Sequence, residues 1–194
     1  MKVMVAICNG GSVKSQTMTD TIAALFANLH AYTFMLADAT TSMSTHSRWL
    51  AAKQAIEHGC DYLWFIDSDM AFPADALPRL LAHGKDIVGA AYHYSRMPLL
   101  STVKVRDSNG NLDFIRTLPT ELFEVGALGA GCLLITVEAL KRIPQPWFAM
   151  SWDRETGELN QTEDTWFCLQ AQAVGIPVYC DPTLDVKHIG DFLH

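Results

Sequence analysis

The sequence predicts an α/β domain with a mixed central sheet flanked by helices, on three observations. Apolar runs alternate with helix-length segments through the first hundred residues, an order that favours parallel strands joined by helical crossovers. Two extended segments then flank Asp107-Ser108-Asn109-Gly110-Asn111, a hairpin signal that brings antiparallel strands into the sheet. Of the 194 residues 49% are apolar, enough to bury a sizeable core within one domain.

The elements follow in order. Residues 3–8 form an apolar strand stopped by Asn9-Gly10-Gly11. Residues 16–29 carry Ile22, Leu25, Phe26 and Leu29 at helical spacing, which predicts a helix with those side chains inward. Residues 32–37 are a second strand ending at Asp38, and residues 45–58 a helix closed by Gly59. The most apolar strand, residues 61–66, runs into Asp67-Ser68-Asp69. Residues 73–82 form a short helix stopping at Gly84, and residues 86–92 another strand. Beyond the hairpin (101–106 and 112–117), residues 131–136 are a buried strand. Residues 145–161, rich in Trp, Pro, Gly and polar groups, read as a long loop. Thr162 is placed to cap a helix over 163–174 that ends at Gly175. A last strand, 176–180, leads into a tail, 181–194.

Bulk properties narrow the function. Net charge is −7, and charged residues make up 18% of the chain, which argues against a broad nucleic-acid footprint. No apolar run reaches the length of a membrane span, and the first residues read as a strand rather than a signal peptide. The five cysteines form no CxxC pair and sit mostly in apolar segments. They read as reduced, buried residues of a cytoplasmic protein.

Asp67-Ser68-Asp69 is the central chemical feature. Residues two apart on an extended chain face the same way. The two carboxylates therefore stand together at the carboxyl end of a buried strand, where open α/β sheets bind ligands. Their mutual repulsion is relieved by a hard divalent cation, which often shares substrate phosphates with such carboxylates. The competing reading is a solvated loop that caps the helix beginning at Pro73. His188 offers an imidazole, which suits Mn²⁺ better than Mg²⁺, or is an ordinary surface histidine. Glu163-Asp164 opens a helix: either acids complementing the helix dipole, or a base facing an incoming hydroxyl. Trp147, Phe148 and Trp152 are either a platform for a sugar or core plugs. Arg48, at a helix start where N–H groups also favour anions, and Arg96 are the cations placed to meet phosphate. Asn9-Gly10-Gly11-Ser12 lacks the spacing of a P-loop.

The ordered set resembles a known family. It comprises Asn9-Gly10, Asp38, Arg48, the run Phe65-Ile66-Asp67-Ser68-Asp69-Met70-Ala71-Phe72-Pro73, and Gly89-Ala90-Ala91-Tyr92 with Arg96. Gly129-Ala130-Gly131-Cys132, Glu163-Asp164-Thr165-Trp166, Gly175 and Lys187-His188-Ile189-Gly190 follow. Together these are similar to compact glycosyltransferases of the GT-A fold, a single Rossmann-like domain, and to small family-2-like enzymes of bacteria and their phages. The resemblance covers nearly the whole chain. It implies a nucleotide-binding half, 1–100, and an acceptor-side half, 101–194. Asn9 and Asp38 would face the base and ribose, and Arg48, Ser68 and Arg96 the rest of the donor nucleotide. Asp67 would stand near ribose and metal, while Asp69 and His188 would hold the metal, Mn²⁺ or Mg²⁺. Gly131 would let the backbone approach donor sugar or acceptor. Asp164 would take the acceptor proton in an inverting enzyme, the outcome to which the Glu163-Asp164 pair leans. In a retaining enzyme the pair would position the acceptor. The implied donor is a nucleotide-diphosphate sugar, a uridine-diphosphate sugar first. The acceptor is a hydroxyl on a glycan, protein, small molecule or modified nucleic-acid base. The chain departs from the pattern at Arg48-Trp49, where related enzymes often have Arg-Asn.

Two other classes compete. A haloacid-dehalogenase-like phosphatase also sets D-x-D after an apolar strand. Its motif normally lies near the N-terminus and continues with Thr or Val, whereas Met70 follows here. A non-catalytic nucleotide-sugar-binding module is the other.

Overall fold

Strand and helix alternate from the first residues of the computed structural model, which describes residues 1–94 and 100–190. The elements are β1 (Lys2–Cys8), α1 (Ser15–Asn28), β2 (Thr33–Leu36), α2 (Ser44–Glu57), β3 (Tyr62–Asp67), β4 (Met70–Ala71), α3 (Ala76–Ala82) and β5 (Ile87–Ala90). There follow β6 (Lys104–Arg106), β7 (Leu112–Phe114), β8 (Phe123–Val125), β9 (Cys132–Thr136) and α4 (Val137–Arg142). The last are β10 (Ser151–Trp152), β11 (Leu159–Gln161), α5 (Glu163–Ala173), β12 (Val178–Asp181) and β13 (Lys187–His188).

Seven strands form one sheet in the order β2-β1-β3-β9-β5-β12-β8. β1 runs parallel to β2 and β3, and β12 parallel to β5. β9 lies antiparallel between β3 and β5, and β8 closes the far edge antiparallel to β12. The mixed α/β class expected from the sequence is therefore the one observed. Strands from residues 101–194 are interleaved with those from 1–100, so the two halves share one sheet.

The alternation along β3 divides the core. Leu63 and Phe65 join α2, α4 and α5 residues on one face, among them Ala51, Ala55, Leu140 and Phe167. Trp64 and Ile66 join Ala24 of α1 and Leu77 and Leu80 of α3 on the other. Covered on both faces, such a strand is apolar throughout rather than alternating. The alanines of α2 bring that helix close against the sheet. Gly59, at φ +60°, adopts the left-handed conformation that ends it. All five cysteines are free and buried.

The structure departs from the sequence reading in several elements. α1 buries Thr17, Thr21, Ala24 and Asn28, not the large apolar set. Ile22, Phe26 and Leu29 are exposed, Phe26 by 71%; Leu25 alone of the four packs against the core. Small side chains let α1 approach the β3–β4 turn, and their polar atoms are bonded: Thr17 Oγ1 donates to the Ser68 carbonyl at 3.1 Å and Thr21 Oγ1 to the Thr17 carbonyl at 2.7 Å. Both faces of this helix fit a period of 3.6, so periodicity chose the wrong one. The hairpin β6–β7 forms, but as its own two-stranded sheet. The antiparallel members of the main sheet are β8 and β9. The stretch read as a loop contains the hairpin β10–β11, and the tail contains β13, paired antiparallel with β4. α4 follows β9 directly, its first turn capped by Thr136, whose Oγ1 accepts the Ala139 N–H at 3.2 Å. Among the described residues no helix is long and apolar enough to cross a membrane.

Asp181, at the end of β12 and 3% exposed, ties the C-terminal segment to α3. It accepts from Thr183 N at 2.8 Å and Thr183 Oγ1 at 2.7 Å, and meets His83 Nε2 at 3.0 Å and Arg79 Nη2 at 3.5 Å. Burial alone would raise its pKa, but the bonds from His83 and Thr183, with Arg79 behind them, hold it below the ordinary carboxylate value. A depressed acid contributes stability that is complete above its unfolded pKa and is lost as pH falls through the folded one. Asp181→Asn is expected to cost about 1–3 kcal/mol in urea unfolding at pH 7, because His83, Arg79 and Thr183 lose a charged acceptor. The difference from wild type should shrink below about pH 4; a difference constant down to pH 2 would contradict the pairing.

Candidate functional site

The carboxyl ends of β1 and β3 open into a cavity of about 330 Å³. Its floor is an ion pair. Arg48, in the first turns of α2, is buried, and its Nη2 donates to Asp67 Oδ1 at 2.8 Å. Its Nη1 lies 3.5 Å from the Ala130 carbonyl, and its guanidinium stands over the Phe65 ring at 5.5 Å. Its Nε is 3.7 Å from Glu163 Oε1, an ion-pair distance too long for a hydrogen bond. That buried N–H has no hydrogen-bond partner among the described residues. Burial opposes the guanidinium's charge, yet Asp67, with Cys8 and Glu163, outweighs it and the pKa is raised. The Cys8 thiol, also in the cavity wall, is pushed up to about 11 by burial and stays protonated.

Beyond Asp67 the chain turns at Ser68-Asp69 and re-enters a short ladder. β13 pairs with β4 in the register Lys187↔Ala71 and His188↔Met70. The Ile189 N–H donates to the Asp69 carbonyl at 2.7 Å, and from the other side Lys14 N–H donates to the Ser68 carbonyl at 2.8 Å. This sets His188 Nε2 3.2 Å from Asp69 Oδ2. The Asp69 hydrogen bond raises the His188 pKa against partial desolvation. Its ring stacks on Tyr92, 5° from parallel at 6.3 Å, and its buried Nδ1 has no partner among the described residues.

The opposite wall is rich in hydroxyls: Thr41, Ser42, Ser44 and Ser47, running into the start of α2, with Asn9 and Gly10 beside them. Thr41 Oγ1 and Ser47 Oγ are hydrogen-bonded at 2.8 Å. Asn9 closes its own turn, its Oδ1 accepting from Gly11 N–H at 2.9 Å. Glu163, first residue of α5, completes the wall. Thr162 holds the N-cap position but does not cap the backbone. Its hydroxyl donates to Asp164 Oδ1, and Asp164 Oδ1 accepts the Thr165 N–H at 2.7 Å instead. Burial, foremost, raises the Asp164 pKa.

The cavity thus gathers Asn9, Arg48, Asp67, Ser68, Asp69, Glu163 and His188 from the residues singled out in the sequence. Asp164 lies next to it, half-buried. Asp38 is exposed, its backbone clamped to Gln54 at 3.0 and 2.7 Å, and it lies outside the lining. Arg96 lies outside the described residues. Gly131 serves a packing need. A Cβ there would stand 2.6 Å from the Tyr92 hydroxyl and 3.0 Å from Asp67 Oδ2. Its N–H donates to Tyr92 Oη at 2.8 Å, and its carbonyl accepts the Asp67 N–H at 3.0 Å. Trp147 and Phe148 are core, Phe148 stacking on Phe167 at 4.8 Å, while Trp152 is exposed. Trp49 stacks on His46 and donates to Gln145 Oε1 at 3.2 Å.

Sequence reasoning gave Tyr92 a place in the ordered set but no role, and missed the hydroxyl wall. Five Ser/Thr within residues 41–47, before and into a helix, were a visible signal for the wall. Nothing in the sequence announced that Tyr92 would meet both His188 and Gly131.

The donor set divides into two pairs. Asp67 is committed to Arg48, and among the described residues no three His, Cys, Asp or Glu side chains converge to hold an ion by themselves. Asp69 and His188 do fit a shared ion. Ligands at about 2.0–2.1 Å from an octahedral ion stand about 3 Å apart, and the observed pair is separated by 3.2 Å. The remaining positions would fall to substrate oxygens.

No protein-family model matches the chain, and no curated protein matches it in sequence. Its fold is similar to that in the crystal structure of A197 from STIV, with a TM-score of 0.64 and 21% identity, over 100% of this chain and 87% of that one. A likeness at that identity concerns the fold alone.

Gly131→Ala is expected to cost about 1–3 kcal/mol by overpacking and to shift Tyr92, which near-ultraviolet circular dichroism and urea unfolding will register. An unchanged midpoint would mean that Tyr92 has room to move.

Proposed function

We propose that the cavity binds a nucleotide-diphosphate sugar, a uridine-diphosphate sugar first, and that the protein transfers the sugar to an acceptor hydroxyl in the cytoplasm. One observation carries this reading. A buried, permanently charged arginine, an Asp–His pair suited to a divalent ion and a helix-terminal carboxylate line a single cavity of about 330 Å³. A diphosphate needs the first two, and an incoming hydroxyl needs a carboxylate nearby. Mn²⁺ or Mg²⁺, held by Asp69 and His188 with donor phosphate oxygens, would neutralise charge on the leaving diphosphate.

The chain's own groups supply the rest. Arg48 and the N-terminal end of α2 stabilise the diphosphate as negative charge builds on it. Asp67 keeps Arg48 oriented, and Asn9, Ser68 and the hydroxyl wall bind the nucleoside. In the step itself the bond from the anomeric carbon to acceptor oxygen forms. The bond to the diphosphate oxygen breaks, and its electron pair leaves with the diphosphate. Asp164 takes the hydroxyl proton, as in an inverting transferase, and its raised pKa makes it the stronger base. Glu163, fixed by Arg48, orients the acceptor.

A thermal-shift screen tests this. A uridine-diphosphate sugar with Mn²⁺ should stabilise the protein by about 2.7 kcal/mol at a hundredfold excess over Kd. Asp69→Ala should remove the metal-dependent part. No shift with any nucleotide would end the reading; binding without turnover across a broad acceptor panel would leave a binding module. Phosphate release from simple esters without any need for a nucleotide would favour a phosphatase.

Asp164→Asn should keep donor binding, lose transfer and unfold at the same or a higher temperature at pH 7. A raised acid costs stability above its folded pKa, and that cost vanishes below its unfolded one, so any gain should fade towards pH 4. Loss of donor binding in this variant would remove Asp164 from the acceptor side.

A further inference from the structure

A second cleft, of about 520 Å³, adjoins the cavity and shares Ser42 and Ser44 with it. Its other lining residues are Met43, Thr45, Phe148, Ala149, Met150 and Trp152, and none of its lining side chains carries a charge. Trp152 is 55% exposed and Met43 62%. Phe148, buried and stacked on Phe167, gives the cleft a rigid base. The loop that forms it leads to the carboxylates. Ser151 and Trp152 make up β10, which pairs with β11 in the register Ser151↔Gln161, and Glu163 follows two residues later.

We infer that this cleft holds the body of the acceptor, and that the body is an uncharged, flat aromatic group bearing the hydroxyl. The inference rests on the transferase reading above and adds the acceptor's chemical class. Three features carry it. An acceptor whose hydroxyl meets the start of α5 extends over the hairpin attached there. A free sugar is held by amide, carboxylate or guanidinium side chains, and this lining has none of them. A phosphorylated lipid or a nucleic acid brings phosphate, and this lining offers no cation to meet it. An exposed indole flanked by two methionines suits an aromatic ring. Indole and ring pack offset or edge to face, and thioethers adapt to the outline. Transfer then forms the bond between the anomeric carbon and the oxygen of the aryl-borne hydroxyl, with proton and diphosphate leaving as described above.

The probe is 2-naphthylmethanol, titrated into the full chain by fluorescence, with nucleotide binding followed separately by thermal shift. Saturable binding is expected, weakened about tenfold by Trp152→Ala, the equivalent of one lost aromatic contact, and restored by Trp152→Phe. Glucose and glycerol should not compete. Nucleotide stabilisation with Mn²⁺ should be the same in all three proteins. Equal naphthyl affinity in Trp152→Ala overturns the inference, as does competition by glucose. Loss of nucleotide binding in Trp152→Ala also overturns it, because the cleft would then be the seat of the base. If wild type binds no nucleotide, the transferase reading falls, while the naphthyl titration still decides what the cleft takes.

Discussion

Among the described residues Arg48 is the only basic one whose side chain is buried, and its charge has to be balanced where it stands. Taking a guanidinium out of water costs several kcal/mol, and a single carboxylate recovers that only with good geometry and further acceptors. Asp67 supplies the short bond, Glu163 the second charge, Ala130 a carbonyl and Phe65 an aromatic face. These partners come from the end of β3, the start of α5, the approach to β9 and the interior of β3. One side chain therefore fixes how three distant parts of the chain meet. Removing either partner of such a pair leaves an uncompensated charge, typically worth about 3–5 kcal/mol. The floor of the cavity is thus a fold determinant as well as a candidate functional group.

The opposite side of the cavity is organised by backbone rather than charge. Two residues of β13 pair with the two of β4, and that short ladder carries His188 to Asp69. Tyr92 stacks on the His188 ring and accepts from Gly131, whose carbonyl in turn holds the Asp67 amide. The Asp–His pair and the Arg–Asp pair are in this way coupled through Tyr92 and one glycine. Such coupling would suit the metal and the diphosphate proposed for this site, which need a fixed relation to one another.

The two clefts divide by chemistry. Both share hydroxyls at the start of α2, which lies between them; one adds charged side chains, the other methionine and indole. A substrate with a phosphorylated donor part and an apolar acceptor part matches that division. In the proposed reading the carboxylates at the start of α5 would act where the two parts join.

Strand identity and helix order were readable because a buried strand needs an unbroken apolar run and a helix a glycine to end it. Residues 3–8, 61–66 and 131–136, and Gly59 and Gly175, show both. The Asp67-Ser68-Asp69 turn was readable too, since it follows the most apolar strand at the sheet's ligand-binding edge. What only the tertiary structure decided depends on partners far apart in sequence. The inward face of α1 went to Thr17, Thr21 and Asn28, because nearby carbonyls satisfied their polar atoms and their size allowed close approach. β9 slipped between β3 and β5, a matter of register rather than composition. The two aspartates, equivalent as letters two apart, acquired different roles: one met a buried arginine, the other a histidine brought by a ladder 119 residues downstream in sequence and 3.2 Å away in space. Local pattern determines which segments are strands and helices; long-range pairing determines which charges meet, and the chemistry of this site lies in those meetings.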